Sequence, residues 1–311
     1  MRVLIAGGAG EVGTYLARDF SNWGHEVTVI DRVTRPEIVQ DRSITYLQGT
    51  LIDAAFVGRS IQGMEVVIHL AWSFADDATT IFGEDIEGHI NLLEAASSAR
   101  VRHLVYTSTA TVYGRAVLHP VAETHPCLLG EARKPLYALG KFTAEELCRF
   151  YSKERGLSAT IFRFWWAFGD TIGGRHLRDL VRKSLNHQPL KMVRGAGGTF
   201  VTMSDLSRAI MSAIDRSPGS GEIYNVGSLF LTWEEIGAMI MRLTESSSSI
   251  QLIPSNEWQG PAFLNEFWDL SWEKADRDLG FKPGHSNEEM RSQFVRALQK
   301  CIDQVKKGEL T

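Results

Sequence analysis

The segment VLIAGGAGEVG (residues 3–13) decides the fold. A short apolar run leads into Gly7, Gly10 and Gly13, which stand three residues apart, and an amphipathic stretch follows. This order predicts a strand, a tight turn and a helix whose free N–H groups and dipole can hold a pyrophosphate. The glycines alone also fit a tight turn that binds no ligand.

The sequence beyond this segment alternates short β-branched runs with longer amphipathic stretches. Strands are predicted at 3–6, 26–30, 44–47, 66–70, 103–107 and 159–163, and helices at 12–23, 84–100 and 137–154. Such alternation is typical of βαβ units around a parallel sheet. The predicted fold is therefore α/β, a Rossmann-type doubly wound parallel sheet with a smaller, partly interleaved C-terminal substrate lobe.

The regular alternation of strand-like and helix-like stretches ends after residue 163, and Gly-rich and Trp-rich connections follow. Short strands are expected near Lys191 and Ile223, and helices near Leu206, Trp233 and the C-terminus. We expect residues 1–165 to form the dinucleotide-binding domain, segments around 199–230 to return to it, and residues 166–311 to form mainly a substrate-binding lobe.

Composition excludes several classes of partner. The 311 residues carry a net charge of −4 with mixed signs, so no basic stripe for nucleic acid is expected. No apolar run approaches the roughly 20 residues of a membrane span. The three cysteines, Cys127, Cys148 and Cys301, are widely spaced, and nothing has metal-ligand spacing. We therefore expect a soluble cytoplasmic protein without a metal, acting on a small molecule.

Asp31 ends the second predicted strand, about 20 residues after the glycines. A carboxylate there accepts hydrogen bonds from the adenosine ribose hydroxyls and repels a 2′-phosphate, which favours NAD over NADP. Arg32 beside it could instead pair with that phosphate, so NADP stays open. Leu70, Ala71 and Trp72 follow the fourth strand, where we expect the chain to pass under the cofactor.

Tyr137 and Lys141 are four residues apart on a predicted helix, so their side chains share one face. A nearby ammonium is expected to lower the tyrosine pKa from its usual value of about 10, which suits proton exchange near neutral pH. Thr109, after the fifth strand, could hydrogen-bond the reacting oxygen while the cofactor carries a hydride. A surface tyrosine beside a solvated lysine is the alternative.

These segments together resemble the extended short-chain dehydrogenase/reductase family, also called the NAD-dependent epimerase/dehydratase family. The matching strings are GGAGEVG (7–13), HLAW (69–72), NLLEAA (91–96), TSTATVYG (107–114), YALGK (137–141), FVTMSDLSRAI (200–210) and GEIYNVG (221–227). The resemblance implies catalysis by Thr109, Tyr137 and Lys141, and a homodimer formed through the helices at 84–100 and around Tyr137. It implies an NAD site that also includes Gly7, Gly10, Glu11, Val12, Gly13, Asp31, Arg32, Leu51, Leu70, Ala71, Trp72, Thr107 and Phe164.

The sequence departs from the family pattern where the substrate is expected. Asp85 replaces a usual Asn, Thr50 replaces a usual acid, Trp166 replaces the Asn that contacts a sugar nucleotide, and no Arg precedes Phe200 as a pyrophosphate clamp. A smaller or more apolar sugar-like substrate is therefore favoured. The candidate substrate contacts are Trp72, Thr111, Trp165, Trp166, His176 and Arg194; the tryptophans also fit a plain core role.

The residues after Thr109 bear on the reaction type. Dehydratases of this family place an Asp-Glu pair there, whereas this chain has Ala110 and Thr111. The string TSTATVYG looks more like that of sugar epimerases, which favours epimerase-like hydride transfer. A simple dehydrogenase or ketoreductase stays open, as does a non-catalytic protein that senses NAD.

Overall fold

The computed structural model describes residues 1–34, 43–217 and 221–309. Its larger layer is a sheet of seven strands, in which every neighbouring pair is parallel. The strands are β1 (Arg2–Ala6), β2 (Glu26–Asp31), β3 (Ile44–Gln48), β4 (Val66–His69), β5 (His103–Thr107), β6 (Ala159–Arg163) and β10 (Glu222–Asn225). They lie in the order β3, β2, β1, β4, β5, β6, β10. The order reverses between β1 and β4, so the crevice at their carboxyl ends is where an α/β sheet binds its ligand.

Helices cover both faces of this sheet. One face carries α1 (Glu11–Asn22) and α6 (Met203–Arg216), and the other carries α2 (Ala54–Ser60), α3 (Glu87–Ser98) and α4 (Pro135–Arg155). Successive strand residues point to opposite faces, so Val3 and Ile5 join the first core and Leu4 and Ala6 join the second. The strands are mostly apolar because most of their residues are buried on both faces of the sheet. The predicted doubly wound α/β fold is confirmed.

A second group of elements forms a separate core. Its strands are β7 (Trp166–Phe168), β8 (Leu190–Val193), β9 (Gly197–Thr202), β11 (Leu229–Thr232), β12 (Ile250–Ile253) and β13 (Phe267–Trp268), and its helices are α5 (Arg175–Leu185), α7 (Trp233–Leu243) and α9 (Asn287–Lys306). β9 pairs antiparallel with β11 and parallel with β7 and β13, whereas β8 pairs with β12. Helix α8 (Glu273–Leu279) packs on the large sheet's side of the chain instead.

The segment predicted to return to the large sheet contains α6 and β10. Helix α6 shares a core with α1, and β10 pairs with β6 as an edge strand of the seven. Residues 218–220 of this segment lie outside the described ranges. None of the helices in the described ranges combines the length and the apolar character that a membrane crossing requires.

The helix predicted at 84–100 begins differently from the expectation. A helical turn, Ala78–Thr80, and a π-helical stretch, Ile81–Ile86, precede α3, and the helix ends at Ser98. The Asp77 carboxylate accepts a hydrogen bond from the Thr80 N–H at 2.8 Å and starts the turn. Periodicity missed this start because a π turn shifts the apolar spacing by one residue.

Candidate functional site

The turn between β1 and α1 lets neighbouring backbone, and a ligand, approach its main chain closely. Gly7 has φ +83°, and a Cβ on it would lie 2.5 Å from the Ala71 nitrogen. A Cβ on Gly13 would lie 2.5 Å from the Gly7 carbonyl oxygen. Gly10 caps α1 without a side-chain hydrogen bond, so the first-turn N–H groups are left for another acceptor. These features fit a pyrophosphate lying on the helix N-terminus.

A cavity of about 300 Å³ opens beside this turn. It is lined by eight residues predicted for the cofactor: Gly7, Gly10, Asp31, Arg32, Leu51, Leu70, Ala71 and Trp72. Two further lining residues, Thr50 and Asp85, were marked in the sequence only as departures from the family pattern. The sequence did not single out the others, which are Ile30, Val33, Gly49, Ile52, Ser73, Phe74 and Glu84. The cavity size is that of a small-ligand pocket, and its place at the carboxyl ends of β1, β2 and β4 fits the adenosine half of a dinucleotide.

Asp31 is held in place at the rim of this cavity. Its carboxylate accepts hydrogen bonds from the Ala9 N–H at 3.0 Å and the Val33 N–H at 3.1 Å. The neighbouring Arg32 pairs with Glu84 at 3.4 Å, and both side chains are exposed. Two carboxylates therefore stand where a 2′-phosphate would lie, which fits NAD better than NADP.

Three hydroxyl groups converge at the carboxyl end of β5. The Thr109 hydroxyl lies close enough to the Tyr137 phenol to lower its pKa against the effect of burial. The Thr109 hydroxyl also donates to the Thr111 hydroxyl at 3.1 Å and accepts from the Thr111 N–H at 3.2 Å. The backbone N–H of Tyr137 donates to the Asp76 carboxylate at 2.9 Å, which fixes the start of α4. The structure thus brings together the predicted catalytic tyrosine and threonine with Thr111.

Lys141 lies one turn further along α4 and is buried. Its Nζ donates to the Thr107 carbonyl at 3.0 Å and lies 4.2 Å from the centre of the Trp72 ring. Burial lowers the pKa of Lys141 to about 7, and the carboxylates of Asp85 and Glu145 oppose this. An ammonium whose pKa is close to physiological pH can change charge during a reaction.

The effect expected of Lys141 on Tyr137 is absent. The pKa of Tyr137 is raised, because burial disfavours the phenolate, while the Thr109 hydroxyl and the charge of Arg133 oppose the rise. The expectation that the lysine lowers this pKa was therefore wrong. The lysine ammonium is engaged with Thr107 and Trp72, whereas Arg133 supplies a positive charge that lowers the pKa of the phenol.

Sequence reasoning missed a loop that covers Tyr137. The ring of Phe74 stacks against that of Tyr137 with centroids 6.0 Å apart, and Phe74 has φ +59°. Lys134 Nζ donates to the Phe74 carbonyl at 2.8 Å. A positive φ at an aromatic residue stores strain, which is common at functional sites. No sequence motif marks Phe74.

The remaining predicted residues lie in different surroundings. Trp165 and Trp166 belong to an aromatic cluster with Phe200, Trp233 and Phe263, and the His176 ring stacks on Phe263 at 5.2 Å. Arg194 lies exposed in the turn after β8, and no described contact joins it to Tyr137.

Three predicted cofactor residues make contacts away from the cavity. The Glu11 carboxylate accepts a hydrogen bond from the Thr171 hydroxyl at 3.2 Å. Phe164 packs on the core under α1, and its carbonyl accepts from the Ala110 N–H at 3.0 Å. Val12 packs on the same core, so none of the three lines the cavity beside the glycine turn.

Comparison with known proteins settles the family. The model of the NAD dependent epimerase/dehydratase family matches residues 3–227. The chain belongs to this family. The predictions that the chain belongs to this family, that it is an enzyme and that its cofactor is NAD are therefore confirmed.

Two curated relatives align over most of the chain. A UDP-N-acetyl-alpha-D-glucosaminuronate decarboxylase of Bacillus cytotoxicus is 29% identical over 272 residues, which cover 81% of this chain and 83% of the relative. A UDP-glucose 4-epimerase of Corynebacterium glutamicum is 28% identical over 320 residues, 92% of each chain. The epimerase-like function expected from the sequence agrees with these names.

Solved structures share the fold. The UDP-glucuronic acid 4-epimerase of Bacillus cereus, in complex with UDP-glucuronic acid and NAD, has a TM-score of 0.77 at 21% identity and 99% coverage of both chains. The UDP-glucose 4-epimerase of Thermus thermophilus, in complex with NAD, has a TM-score of 0.76 at 22% identity, covering 98% of this chain and 99% of the other.

Proposed function

We propose that this chain is an NAD-dependent epimerase-like oxidoreductase that transfers a hydride at a secondary hydroxyl or carbonyl of a sugar-like small molecule. The observation that carries the proposal is the convergence of the Thr109, Thr111 and Tyr137 hydroxyls beside buried Lys141. These groups lie at the same edge of the large sheet as the glycine turn between β1 and α1. The names of the relatives support a sugar-like substrate.

NAD would lie with its pyrophosphate on the first turn of α1 and its adenosine ribose on Asp31. The residues proposed to bind NAD are those predicted from the sequence, and among them Tyr137 and Lys141 bind the nicotinamide ribose. When bound, the nicotinamide supplies the acceptor and donor of the hydride. The glycine cradle at Gly7 and the free N–H groups of α1 are the structural observations that support this fit.

Residues of this chain bind the reacting substrate oxygen and transfer its proton. The Thr109 hydroxyl holds the reacting substrate oxygen, and Tyr137 Oη takes its proton or returns it. Burial disfavours the phenolate, so the reaction relies on Thr109 and on the Arg133 charge to stabilise it. Lys141 holds the Thr107 carbonyl and thereby the end of β5 that carries Thr109.

We propose that the substrate lies between the domain of residues 1–165, with the 199–230 segment returning to it, and the lobe of residues 166–311. Its proposed contacts are Trp72, Thr111, Trp165, Trp166, His176 and Arg194. The ring stack of His176 and Phe263 and the hydroxyl pair of Thr109 and Thr111 support this placement.

A cytoplasmic homodimer is the proposed state of the protein. Exposed apolar side chains on the two helices concerned, Ile90 on α3 and Phe150 on α4, support self-association. Sedimentation at micromolar concentration should find twice the chain mass, and a monomer would count against the dimer. Cell fractionation should find the protein in the cytoplasmic fraction, in keeping with its three free cysteines.

Replacing Tyr137 by Phe tests the proposal. A panel of sugars, sugar acids and nucleotide sugars is screened with NAD⁺ by NADH absorbance and product NMR. We expect Tyr137→Phe to lower kcat by about 10²- to 10⁴-fold, because proton transfer is lost, and to leave NAD affinity within about twofold.

Tyr151→Phe is the matched control, since Tyr151 lies on the same helix with its hydroxyl bonded to Glu94 at 2.6 Å. It should keep wild-type turnover. A Tyr137→Phe enzyme that retains more than about a tenth of the wild-type rate contradicts the assignment, since that loss is smaller than acid–base catalysis supplies. Product without net NADH indicates an epimerase, and accumulating NADH indicates a dehydrogenase.

A further inference from the structure

Arg133 is a cation beside the candidate site that belongs to none of the motifs. It lies two residues before α4, and its Nε donates to Glu266 Oε1 at 3.2 Å. Its guanidinium carbon lies 4.8 Å from the centre of the Phe263 ring. The next residue, Lys134, has its Nζ 6.0 Å from the centre of the Tyr137 ring, and the Arg133 charge lowers the pKa of that phenol against the effect of burial. Arg133 therefore stands near the hydroxyl at which the reaction is proposed to occur.

Glu266 holds the Arg133 guanidinium through its Nε and leaves the η nitrogens on the other side. Glu266 is held by a second donor, the Trp268 indole N–H at 2.9 Å, and its side chain is only 18% exposed. The Arg133 side chain is 31% exposed, and its two η nitrogens have no hydrogen-bond partner among the described residues. A guanidinium anchored through Nε presents its η N–H groups as a planar fork, which matches a carboxylate.

The surroundings of this fork are aromatic. Phe263, which lies under Arg133, stacks on His176 at 5.2 Å and on Trp165 at 5.4 Å, and it meets the edge of Trp166 at 5.4 Å. A wall of rings beside one cation suits a substrate ring with an apolar face and an anionic substituent. The partner Glu266 would repel a doubly charged phosphate more strongly than a singly charged carboxylate.

We propose that Arg133 binds a carboxylate on the substrate ring, so that the substrates are sugar acids. This inference rests on the proposed function, because it takes the reacting hydroxyl to lie at Tyr137. The anion is placed on the ring itself and not on a distant nucleotide, since Arg133 packs on Phe263, which contacts the proposed substrate residues Trp166 and His176. Free and nucleotide-linked sugar acids share this chemistry.

Calorimetry with NAD⁺-saturated enzyme tests the inference by binding alone. The probes are glucuronate, galacturonate and UDP-glucuronate, each paired with its neutral sugar: glucose, galactose and UDP-glucose. Glucose 6-phosphate serves as the phosphate probe. The wild-type enzyme should bind at least one acid about tenfold or more tightly than its neutral partner. Arg133→Met should weaken acid binding by about 10- to 100-fold and leave neutral-sugar binding within about twofold. Arg133→Lys, which keeps the charge but loses the fork, should fall between them.

Arg115→Met is the matched control, because Arg115 also pairs with a glutamate through Nε, at 2.6 Å to Glu131, but with 64% of its side chain exposed. It should change no affinity by more than about twofold. The free acid and the nucleotide-linked acid distinguish which form of the carboxylate the site takes.

Four results overturn the inference: no acid bound at millimolar concentration, equal wild-type affinity for acid and neutral sugar, unchanged acid affinity in Arg133→Met, or a greater loss for glucose 6-phosphate than for glucuronate. The proposed function is judged separately. If Tyr137→Phe abolishes turnover of a neutral sugar while Arg133→Met alters no affinity, the function stands and the inference falls. If Arg133→Met loses acid binding while Tyr137→Phe retains turnover, the catalytic assignment fails instead.

Discussion

Asp85 lines the candidate cofactor cavity, and its charge acts on Lys141. Its carboxylate accepts from the Ser73 N–H at 2.8 Å and from the Ser73 hydroxyl at 2.5 Å, and it lines the cavity beside Asp31. Its charge raises the pKa of Lys141 against the effect of burial. A single carboxylate thereby helps to keep Lys141 protonated near neutral pH.

Asp85→Asn should shift the pH dependence of activity. Without the carboxylate, the pKa of Lys141 falls further below about 7, so the ammonium is lost at a lower pH. We expect the alkaline limb of kcat/KM, measured with the substrate found in the screen, to move down by about one pH unit. Glu87→Gln, an exposed neighbour in the first turn of α3, should leave the limb in place. If the alkaline limb of kcat/KM in Asp85→Asn stays at the wild-type pH, the ionisation of Lys141 does not determine that limb.

Sequence reasoning works for single residues where a local motif fixes the backbone. Gly7 and Gly13 could be singled out because only a missing Cβ allows the close contacts at the turn. Arg133 and Glu266 could not, because their contact joins positions 133 residues apart on two loops. The direction of the Tyr137 pKa was missed for the same reason, since the burial that raises it depends on the tertiary packing around Phe74.

At the scale of elements, a buried ion pair ties α4 to β6. Arg163 donates from Nε to Glu145 at 2.9 Å and from Nη2 to the other oxygen, and the side chains are 3% and 0% exposed. Arg163 also lies over the Tyr113 ring at 4.7 Å. Because α4 carries Tyr137 and Lys141, this pair helps to set where the catalytic helix sits on the sheet.

Glu145→Gln should cost about 3–5 kcal/mol of the free energy of unfolding, because it leaves the Arg163 charge buried without its counter-ion. Urea denaturation followed by circular dichroism measures the cost. Glu146→Gln is the control on the same helix: Glu146 pairs with Arg149 at 2.8 Å, but both side chains are about half exposed. It should cost less than about 0.5 kcal/mol. Equal losses in the two variants would contradict the role of the buried pair.

Element boundaries followed from the sequence only where the helix was regular. Helices α1 and α4 begin and end within two residues of their predicted positions, because apolar residues recur regularly along them. The start of α3 did not follow, since Asp85 in the π-helical stretch Ile81–Ile86 is bound by Ser73, a contact that periodicity cannot show.

At the scale of the whole molecule, the strand order places the glycine turn and the catalytic hydroxyls at one sheet edge. β1 lies beside β4, and β4 lies beside β5, so Gly7, Ala71 and Thr109 follow neighbouring strands. This arrangement was predictable because parallel strands with helical crossovers bring all their carboxyl ends together. The lobe strands were harder to predict, since β9 pairs with short strands that are distant in the sequence.

The central claim is that NAD spans this edge from Asp31 to Tyr137, and a crystal structure of the protein soaked with NAD⁺ tests it most directly. We predict the adenosine ribose hydroxyls on the Asp31 carboxylate, the pyrophosphate on the first turn of α1, and Tyr137 Oη and Lys141 Nζ within about 3.2 Å of the nicotinamide ribose hydroxyls. A nicotinamide ring lying away from Tyr137 and Thr109, with neither hydroxyl facing its reactive carbon, would contradict the account.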